Sequence, residues 1–386
     1  MKKSILIFLF STSIFAFTQN ERCQIDEYRK YLKNHNLYRG STYSPDNSFN
    51  SQRLVYNIPV VIHVLYNNDE QNISDNRVFS QIDVLNEDYN NLNQDLNLLP
   101  EQFSDIVGST GFNFCLAQYD LNGQGFNGIN RVYTDVVSFQ GFNNDMKESN
   151  SGGVDAWDTN SYLNIWVCNL SGNSLGFATM PGDVDYIYDG IVIDYEYFGI
   201  NLDSSSPYNL GRTGTHEVGH YFNLEHTFFA GCSDWDSCDD TPPIASATFG
   251  CPSFPQESCG GVTSMTMNFM DYTDDACMNM FTSCQTTIMV NTLLNQRSGL
   301  LSNSNQCTTS SNNELSTSNL IYPNLIKDYV KINLYNSSVI FFDLYGRVIL
   351  NLYVDYPTEF DLTFLDSGYY VVYFPEIQSY EEFIKH

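Results

Sequence analysis

The chain has 386 residues and a formal net charge of −28, which comes from 45 acidic and 17 basic residues. This excess of negative charge argues against nucleic acid and anionic membranes as partners and favours solubility. The length exceeds that of a single average domain. The chain contains ten cysteines, a number that in secreted proteins is more typical of disulfides than of reduced thiols.

The first residues have the pattern of a secretory signal, which we assign to residues 1–19. Lys2 and Lys3 precede an apolar run from Ile5 to Phe17 that is too short to span a bilayer. No later stretch is apolar enough for a transmembrane helix. The pattern therefore predicts a secreted or cell-surface protein without membrane insertion.

Residues 20–54 are polar and rich in Asn, Ser and Tyr, with one helix-like stretch from Ile25 to Leu37. We interpret this region as a pro-segment. Arg39 and Arg53 are candidate processing sites, because basic residues in exposed polar sequence are accessible to proteases.

Residues 55–307 have the pattern of an α/β domain. The run Ile58–Leu65 is continuous, apolar and β-branched, as in a buried strand, and we expect His63 within it to be a core residue. Helical spacing follows over Asn72–Leu96. Further strands are predicted at Phe112–Ala117, Tyr162–Cys168 and Asp189–Asp194. Strands that alternate with long helices, followed by an irregular lower half, favour a sheet domain with a helix at its base.

The stretch THEVGHYFNLEH, from Thr215 to His226, has the pattern of a catalytic zinc site. His216 and His220 are four residues apart, so on a helix both imidazoles lie on one face and can reach one metal ion. Glu217 can point at a water molecule without binding the metal itself. With His226, three neutral imidazoles leave a fourth tetrahedral position open, which distinguishes a catalytic zinc site from a structural one.

This spacing resembles the HExxHxxGxxH motif of the metzincins, with Asn223 in place of the glycine. That glycine allows the left-handed turn that returns the third histidine to the metal, and Asn is among the few other residues that tolerate the conformation. An amphipathic helix with surface histidines is the alternative. Three of the six histidines fall within the motif, and this concentration argues against the surface-histidine alternative.

The segment Met267–Phe281 resembles the Met-turn of the pappalysin-type metzincins, which are secreted zinc endopeptidases. The resemblance covers about Ile58 to Cys307. It implies that Met270 lies beneath the metal and that Tyr272 lies beside it. A flexible thioether suits a floor under the imidazoles, and a phenol can stabilise the oxyanion of a tetrahedral intermediate. Without the histidine motif, Met270 would be read as an ordinary core residue.

The resemblance also implies two disulfides, Cys232–Cys259 and Cys251–Cys277. The sequence alone leaves three pairings of these four cysteines open. No partner is assigned to the other cysteines of this domain, which are Cys115, Cys168, Cys238, Cys284 and Cys307.

Closely spaced carboxylates in the same loop are of the kind that calcium prefers. The resemblance implies calcium binding by Asp236, by the carbonyls of Cys238 and Thr241, and by Asp240. The alternative is a solvated acidic turn that binds no ion, because most acidic clusters are of this kind.

Features of the predicted cleft also follow from the resemblance. Ser174–Pro181 is similar to the family's edge strand above the cleft, and such a strand can hold an extended peptide by strand addition. Cys23 in the pro-segment is a candidate latency switch, whose thiolate would take the open metal position; a structural cysteine is the alternative. Asp274 and Asp275 hint at substrates with basic side chains.

A Ser- and Asn-rich stretch begins at Ser302, and we place a linker at residues 308–319. Residues 320–386 predict a small all-β sandwich, with strands at Tyr329–Leu334, Val339–Asp343, Val348–Val354 and Tyr369–Phe374. Motifs such as Ile321–Asn324 and Leu344–Arg347 resemble the C-terminal sorting domain of the type IX secretion system. That resemblance implies export across a bacterial outer membrane by this secretion machinery. An accessory β domain that binds substrate or carbohydrate is the alternative.

These features together predict a secreted zinc endopeptidase that acts on proteins or peptides. Glu217 would serve as general base and then deliver a proton to the leaving amine, while Tyr272 would help to stabilise the oxyanion. Two alternatives stay open: a zinc-binding surface or adhesion protein that does not cleave, and a zinc hydrolase of a non-peptide substrate. Glu217 argues against the first, because a structural site has no use for its carboxylate.

Overall fold

The chain is divided by its contacts into two units, Met1–Cys307 and Thr308–His386. The computed structural model describes residues 22–39, 55–172, 174–232, 236–307, 321–322, 325–326, 329–332, 337–343, 347–354, 358–365, 367–374 and 379–385. The predicted signal at 1–19 and the predicted linker at 308–319 lie outside these ranges. Within these ranges, no helix has the length and apolar character needed to cross a membrane.

The first unit combines a central sheet with helices on both sides. Its helices are α1 (Ile25–Asn34), α2 (Asp75–Asp88), α3 (Arg212–Tyr221), α4 (Ser283–Asn295) and α5 (Gly299–Ser302). Its strands are β1 (Tyr56–Tyr66), β2 (Phe112–Leu116), β3 (Ile129–Tyr133), β4 (Phe139–Gln140), β5 (Leu163–Cys168), β6 (Leu170–Ser171), β7 (Gly176–Ala178), β8 (Ile191–Asp194), β9 (Glu257–Ser258) and β10 (Val262–Thr263).

The central sheet has six strands in the order β2-β1-β5-β8-β7, and β3 extends it beside the second half of β1. The pairs are parallel except that β7 runs antiparallel to β8 and stands at the edge. Parallel strands are buried on both faces, which explains the continuous apolar run in β1.

Each face of the sheet has its own apolar core. On one face, Ile193 of β8 packs with Leu85 of α2 and Val218 of α3. On the other face, Phe177 of β7 packs in a separate cluster with Tyr28 of α1. Helix α1 and helix α3 therefore lie on opposite faces of the same sheet edge.

The predicted elements of this unit match β1, β2, β5, β7 and β8, but the predicted helix over 72–96 is too long. Helix α2 ends at Asp88, Asn91 adopts a left-handed φ of 57°, and a separate 3-10 helix covers Gln94–Leu98. A left-handed residue ends a helix because the backbone can no longer continue the ladder. Strand β3 has no counterpart among the predicted strands, since its five residues include Asn130 and Arg131 and lack an apolar run.

Four disulfides connect described residues of the first unit. The structure joins Cys232 to Cys259 and Cys251 to Cys277, as the family resemblance implies. Two more pairs use cysteines that the sequence leaves unassigned, Cys238–Cys284 and Cys115–Cys307. Cys23 and Cys168 are free and buried.

The segment from Ser302 to Cys307 does not begin a linker. Helix α5 ends at Ser302, a 3-10 helix follows over Ser304–Cys307, and the disulfide to Cys115 attaches this end to β2. The first unit therefore extends to Cys307.

The described part of the second unit consists of β-strands. They are β11 (Ile321–Tyr322), β12 (Leu325–Ile326), β13 (Tyr329–Ile332), β14 (Ser337–Asp343), β15 (Val348–Val354), β16 (Thr358–Asp361), β17 (Gly368–Phe374) and β18 (Ser379–Lys385). They form a three-stranded sheet, β11-β13-β16, and a five-stranded sheet, β12-β18-β17-β14-β15. Apolar side chains from both sheets, such as Val330 and Val372, share one buried cluster. The four strands predicted from sequence correspond to β13, β14, β15 and β17.

Candidate functional site

Helix α3 carries the predicted metal ligands and is buried along its whole length. It begins after Gly211, whose φ of 81° is left-handed. Beyond its end, Asn223 adopts a φ of 73°, the conformation that the motif requires at this position. The N–H of Leu224 then donates to the carbonyl of Gly219 at 3.0 Å. The chain therefore reverses and brings His226 back to the helix.

This reversal brings three imidazoles together. The Nε2 atoms of His216, His220 and His226 lie 3.0–3.2 Å from one another. Nδ1 of His216 donates to the carbonyl of Phe269 at 2.7 Å. Nδ1 of His220 donates to the carbonyl of Leu224 at 2.7 Å. These bonds keep a proton on Nδ1 and leave the Nε2 lone pairs free to point at a common centre.

The three nitrogens fit a zinc ion. Zn–N bonds of about 2.0–2.1 Å in a tetrahedral site place the ligand nitrogens roughly 3.3 Å apart, close to the distances seen here. Burial lowers the pKa of His220 to about 3 and the pKa values of His216 and His226 well below the ordinary value. The imidazoles are therefore neutral, which is the form that binds a metal.

Glu217 lies on the same helix, fully buried beside the imidazoles. Burial raises the pKa of its carboxyl group to about 8. The thiol of Cys23 donates to Oε2 at 3.4 Å, while Oε1 is buried and has no partner among the described groups. A Cβ added at Gly176 of β7 would lie 3.3 Å from Glu217 Cγ, so the edge strand passes directly above this carboxylate.

Met270 lies under α3. A Cβ added at Gly219 would come within 2.5 Å of Met270 Sδ, so the helix needs glycine at this point to approach the thioether. The N–H of Met270 donates to the Asn268 side chain at 2.9 Å, and Gln285 in turn exchanges hydrogen bonds with that side chain. The Met-turn is thereby attached to α4.

Cys23 from the predicted pro-segment lies against the same cluster and is buried. Its Sγ and one nitrogen from each of the three histidines all lie within 4.8 Å of one another. Tyr272 donates from its hydroxyl to the carbonyl of Cys23 at 3.0 Å, and its ring centroid is 5.0 Å from that of His226. The structure therefore gathers the three histidines, Glu217, Tyr272 and Cys23 at one place.

Beside the cluster is a buried ion pair that no motif in the sequence indicates. Arg22 Nη2 lies 2.6 Å from Asp275 Oδ1, and both side chains are 0% exposed. Arg22 also donates to the carbonyl of Thr273 at 2.7 Å. The second oxygen of Asp275 accepts from the N–H of Leu210 at 2.8 Å. The pair is separated by 253 residues in sequence, so no local pattern could have shown it.

The segment from Arg22 to the start of α1 lies against the edge of the sheet. The N–H of Gln24 donates to the carbonyl of Gly176 in β7 at 3.1 Å. Further along α1, Arg29 lies 2.8 Å from Asp183 and 3.2 Å from Glu225. Sequence patterns do not identify Arg29 either, because both acidic partners lie far from it along the chain.

The residues proposed for calcium binding lie in the loop that begins at Asp236, where the described part of the chain resumes. Asp236 Oδ1 accepts from the N–H of Cys238, and the hydroxyl of Thr241 lies within hydrogen-bond distance of both Asp236 Oδ1 and the carbonyl of Cys238. Asp240 Oδ2 accepts from the N–H of Cys284 at 2.9 Å, while its Oδ1 is buried without a partner among the described groups. Burial raises the pKa of Asp236 to about 7.

Two fungal proteins match about a third of the chain. An extracellular metalloprotease of Coccidioides posadasii is 41% identical over 134 residues, which are 33% of this chain and 48% of that protein. An extracellular metalloprotease of Neurospora crassa is 42% identical over 135 residues, 33% of this chain and 46% of that protein. The chain thus spans about half the length of these relatives.

Solved structures match a larger part of the chain. Mature mirolysin of Tannerella forsythia, in complex with a cleaved peptide, has a TM-score of 0.64 at 43% identity, covering 66% of this chain and 98% of that one. A promirolysin mutant from T. forsythia has a TM-score of 0.64 at 39% identity, covering 73% of this chain and 91% of that one. The family model Peptidase M43, described as pregnancy-associated plasma protein-A, matches residues 147–294. The chain is a member of this pappalysin family of metallopeptidases.

Proposed function

We propose that this chain is a secreted zinc endopeptidase made as a latent precursor. The observation that carries the proposal is the convergence of three neutral imidazole nitrogens next to the buried carboxylate of Glu217. The family membership supports a metallopeptidase, and the fungal relatives are named as extracellular enzymes. Peptides are the favoured substrates, because a mirolysin structure holds a cleaved peptide.

The chemistry is divided among a few side chains. When bound by His216, His220 and His226, zinc would supply a Lewis acid for the scissile carbonyl and acidify a water molecule. Glu217 takes the proton from the attacking water and delivers it to the leaving nitrogen, because its carboxylate lies beside the cluster without joining it. Tyr272 donates from its hydroxyl to the oxyanion, at the place where it now donates to the carbonyl of Cys23.

Strand β7 provides the surface for an extended substrate. It stands at the edge of the sheet above Glu217, and the pro-segment already donates one backbone hydrogen bond to it. A peptide that adds to this edge passes over the metal cluster.

The test is cleavage of a diverse peptide mixture by the mature chain, followed by mass spectrometry, beside a Glu217→Gln variant. We expect cuts by the wild-type chain and a rate about 10²–10⁴-fold lower in the variant, because general base catalysis contributes about that much. Both should bind one zinc ion, measured by elemental analysis, and Glu257→Gln at an exposed position is the matched control.

The same experiment separates the alternatives. Zinc binding without any cut would favour the non-proteolytic surface protein. Hydrolysis of small esters or amides with intact peptides would favour the hydrolase of a non-peptide substrate. An undiminished rate in Glu217→Gln would remove the proposed mechanism.

Latency is part of the proposal. Cys23 lies within metal-binding distance of the histidines and donates to the general base, so the pro-segment blocks both the metal and the carboxylate. Gln24 occupies the edge strand at the same time. Removal of the pro-segment frees the metal position, the carboxylate of Glu217 and the edge strand. This interpretation agrees with the similarity to promirolysin.

The Arg22–Asp275 pair supports a preference for basic side chains next to the scissile bond. Arg22 directly precedes Cys23, so its pocket is adjacent to the metal. When the pro-segment leaves, Asp275 is left as a buried carboxylate with backbone donors but no cation, and a substrate arginine or lysine can replace Arg22.

Two further roles rest mainly on sequence resemblance. Asp236, Asp240 and the carbonyls of Cys238 and Thr241 form a calcium site, for which the partnerless Oδ1 of Asp240 offers one ligand atom. The second unit serves as a type IX sorting domain that directs export across the outer membrane of a bacterium.

A further inference from the structure

The pro-segment helix also fills a pocket away from the metal cluster. Tyr28 of α1 is 1% exposed, and its hydroxyl donates to Asn144 Oδ1 at 2.6 Å. Its ring centroid lies 4.7 Å from that of Phe177 in β7. Asn144 and Phe177 belong to the catalytic part of the chain, so the walls of this pocket remain when the pro-segment leaves.

A buried lysine forms the floor of the pocket. Lys147 is 2% exposed and donates from its ammonium to the carbonyl of Tyr188 at 2.7 Å. Its Nζ lies 5.2–5.3 Å from the ring centroids of Tyr28, Trp166 and Phe177. Burial of an ammonium group is costly, and the three aromatic faces offset part of that cost.

Removal of Tyr28 leaves polar groups unsatisfied inside apolar walls. Lys147 loses one of its three aromatic faces, and Asn144 Oδ1 loses its donor. The Nδ2 of Asn144 is buried and has no partner among the described groups even when Tyr28 is in place. The pocket is therefore suited to take up another aromatic ring that carries a hydroxyl group.

The pocket lies where a bound peptide can reach it. Ala178 of β7 packs in the core that contains α3, whereas its neighbour Phe177 packs in the core on the opposite face. A peptide strand that adds to β7 points alternate side chains to the two faces of the sheet. Every second substrate side chain thus points to the face that holds the Tyr28 pocket.

We propose that the pocket occupied by Tyr28 is a substrate subsite for a phenolic side chain. In the mature chain the tyrosine of a substrate packs on Phe177 and over Lys147, and its hydroxyl donates to Asn144. This inference rests on the proposed peptidase function and adds a second determinant of specificity to it, on the sheet face opposite the metal cluster.

The test is a tyrosine scan of one peptide that the mature chain cleaves. Tyr, Phe and Ala are placed in turn at each position on both sides of the scissile bond, and kcat/KM is measured for each peptide. We expect at least one position where Tyr exceeds Ala by about tenfold or more, because a buried ring removes a large apolar area from water. Phe should fall between them, since it lacks the hydroxyl that binds Asn144.

Two variants assign the preference to this pocket. In Asn144→Ala the advantage of Tyr over Phe should disappear, and in Lys147→Met the advantage of both rings over Ala should shrink. Each result is a ratio measured within one variant, so a general loss of activity or of folded protein cancels.

The outcomes are distinct. An active wild-type chain with the same rate for Tyr and Ala at every position overturns the subsite, whether or not the variants fold. If the preference for Tyr persists unchanged in both variants, it arises at another site, and the proposal is also overturned. Failure of the wild-type chain to cleave any peptide overturns the proposed peptidase function, and the subsite with it.

Discussion

The metal cluster and the Arg22 pocket lie side by side, yet the sequence specifies them in different ways. His216 and His226 are separated by only 10 residues, and one helix followed by one left-handed turn brings them together. Arg22 and Asp275 are separated by 253 residues and are brought together only by the tertiary fold. The metal-binding motif can thus be recognised from the local sequence, whereas the contacts to which we assign latency and specificity depend on tertiary structure.

The largest effect in this comparison should come from Arg22. Replacing it by Ala in a Glu217→Gln chain, which cannot process itself, leaves Asp275 as a buried charge without its partner, and we expect docking of the pro-segment to weaken by about 3–5 kcal/mol. Arg39→Ala is the matched control, because its pair with Asp185 is exposed and contributes less than about 1 kcal/mol. The docking of the pro-segment is measured in both variants by the protection of the α1 amides from hydrogen exchange. Equal protection in the two variants would contradict the role of the buried pair.

Asp275→Asn should change specificity in the mature chain. The neutral amide can still accept from backbone N–H groups but no longer balances a cation, so we expect the preference for Arg or Lys beside the scissile bond to fall by about 10²-fold. Asp274→Asn, next to it but partly exposed, is the control. Profiling of a peptide library reads the preference, and a basic preference that survives in Asp275→Asn would move the pocket elsewhere.

Cys23→Ala should raise the activity of the precursor. The thiol lies at the histidines and donates to Glu217, and leaving a buried acceptor without its donor costs about 1–3 kcal/mol. We therefore expect self-processing about tenfold to a hundredfold faster. Cys168→Ala removes the other free buried cysteine, which lies in β5, and should leave the processing rate unchanged. Time courses on gels compare the two, and equal rates would argue for a purely structural Cys23.

The smallest effect concerns the turn after α3. Asn223 holds a φ of 73°, which costs an ordinary residue about 1–2 kcal/mol but costs glycine almost nothing. Asn223→Ala should therefore be less stable than Asn223→Gly by about 1 kcal/mol, and it should bind zinc more weakly because His226 is less well positioned. Denaturant unfolding and zinc titration test this. Equal unfolding free energies and equal zinc affinities in the two variants would show that the turn does not need a left-handed residue.

Much of the fold can be predicted because buried parallel strands and a metal-binding helix leave periodic patterns. Strand β1 and helix α3 are of this kind, and Asn223 could be interpreted from its backbone preference alone. Strand β3 is too short and polar to leave such a pattern. The early end of α2 follows from the left-handed Asn91, which breaks an otherwise helical spacing.

The parts of the site that the sequence does not predict are all long-range. Arg22, Arg29 and Tyr28 look like ordinary polar or helix residues until their partners in the catalytic unit are known. The glycine at 219 likewise has no local explanation, because the atom that requires it is the sulfur of Met270 in a different segment. The disulfide between Cys238 and Cys284 cannot be predicted from the sequence for the same reason.

The disulfide between Cys115 and Cys307 has a mechanical consequence. It joins β2 to the last residue of the first unit and closes a loop of 192 residues. Tension applied to the chain beyond Cys307 divides between the backbone that leads back to α5 and the sulfur bridge that leads into the central sheet. The bridge thereby limits how far Cys307 can be drawn from β2, and it relieves the backbone that leads back to α5 and α4 of part of the force.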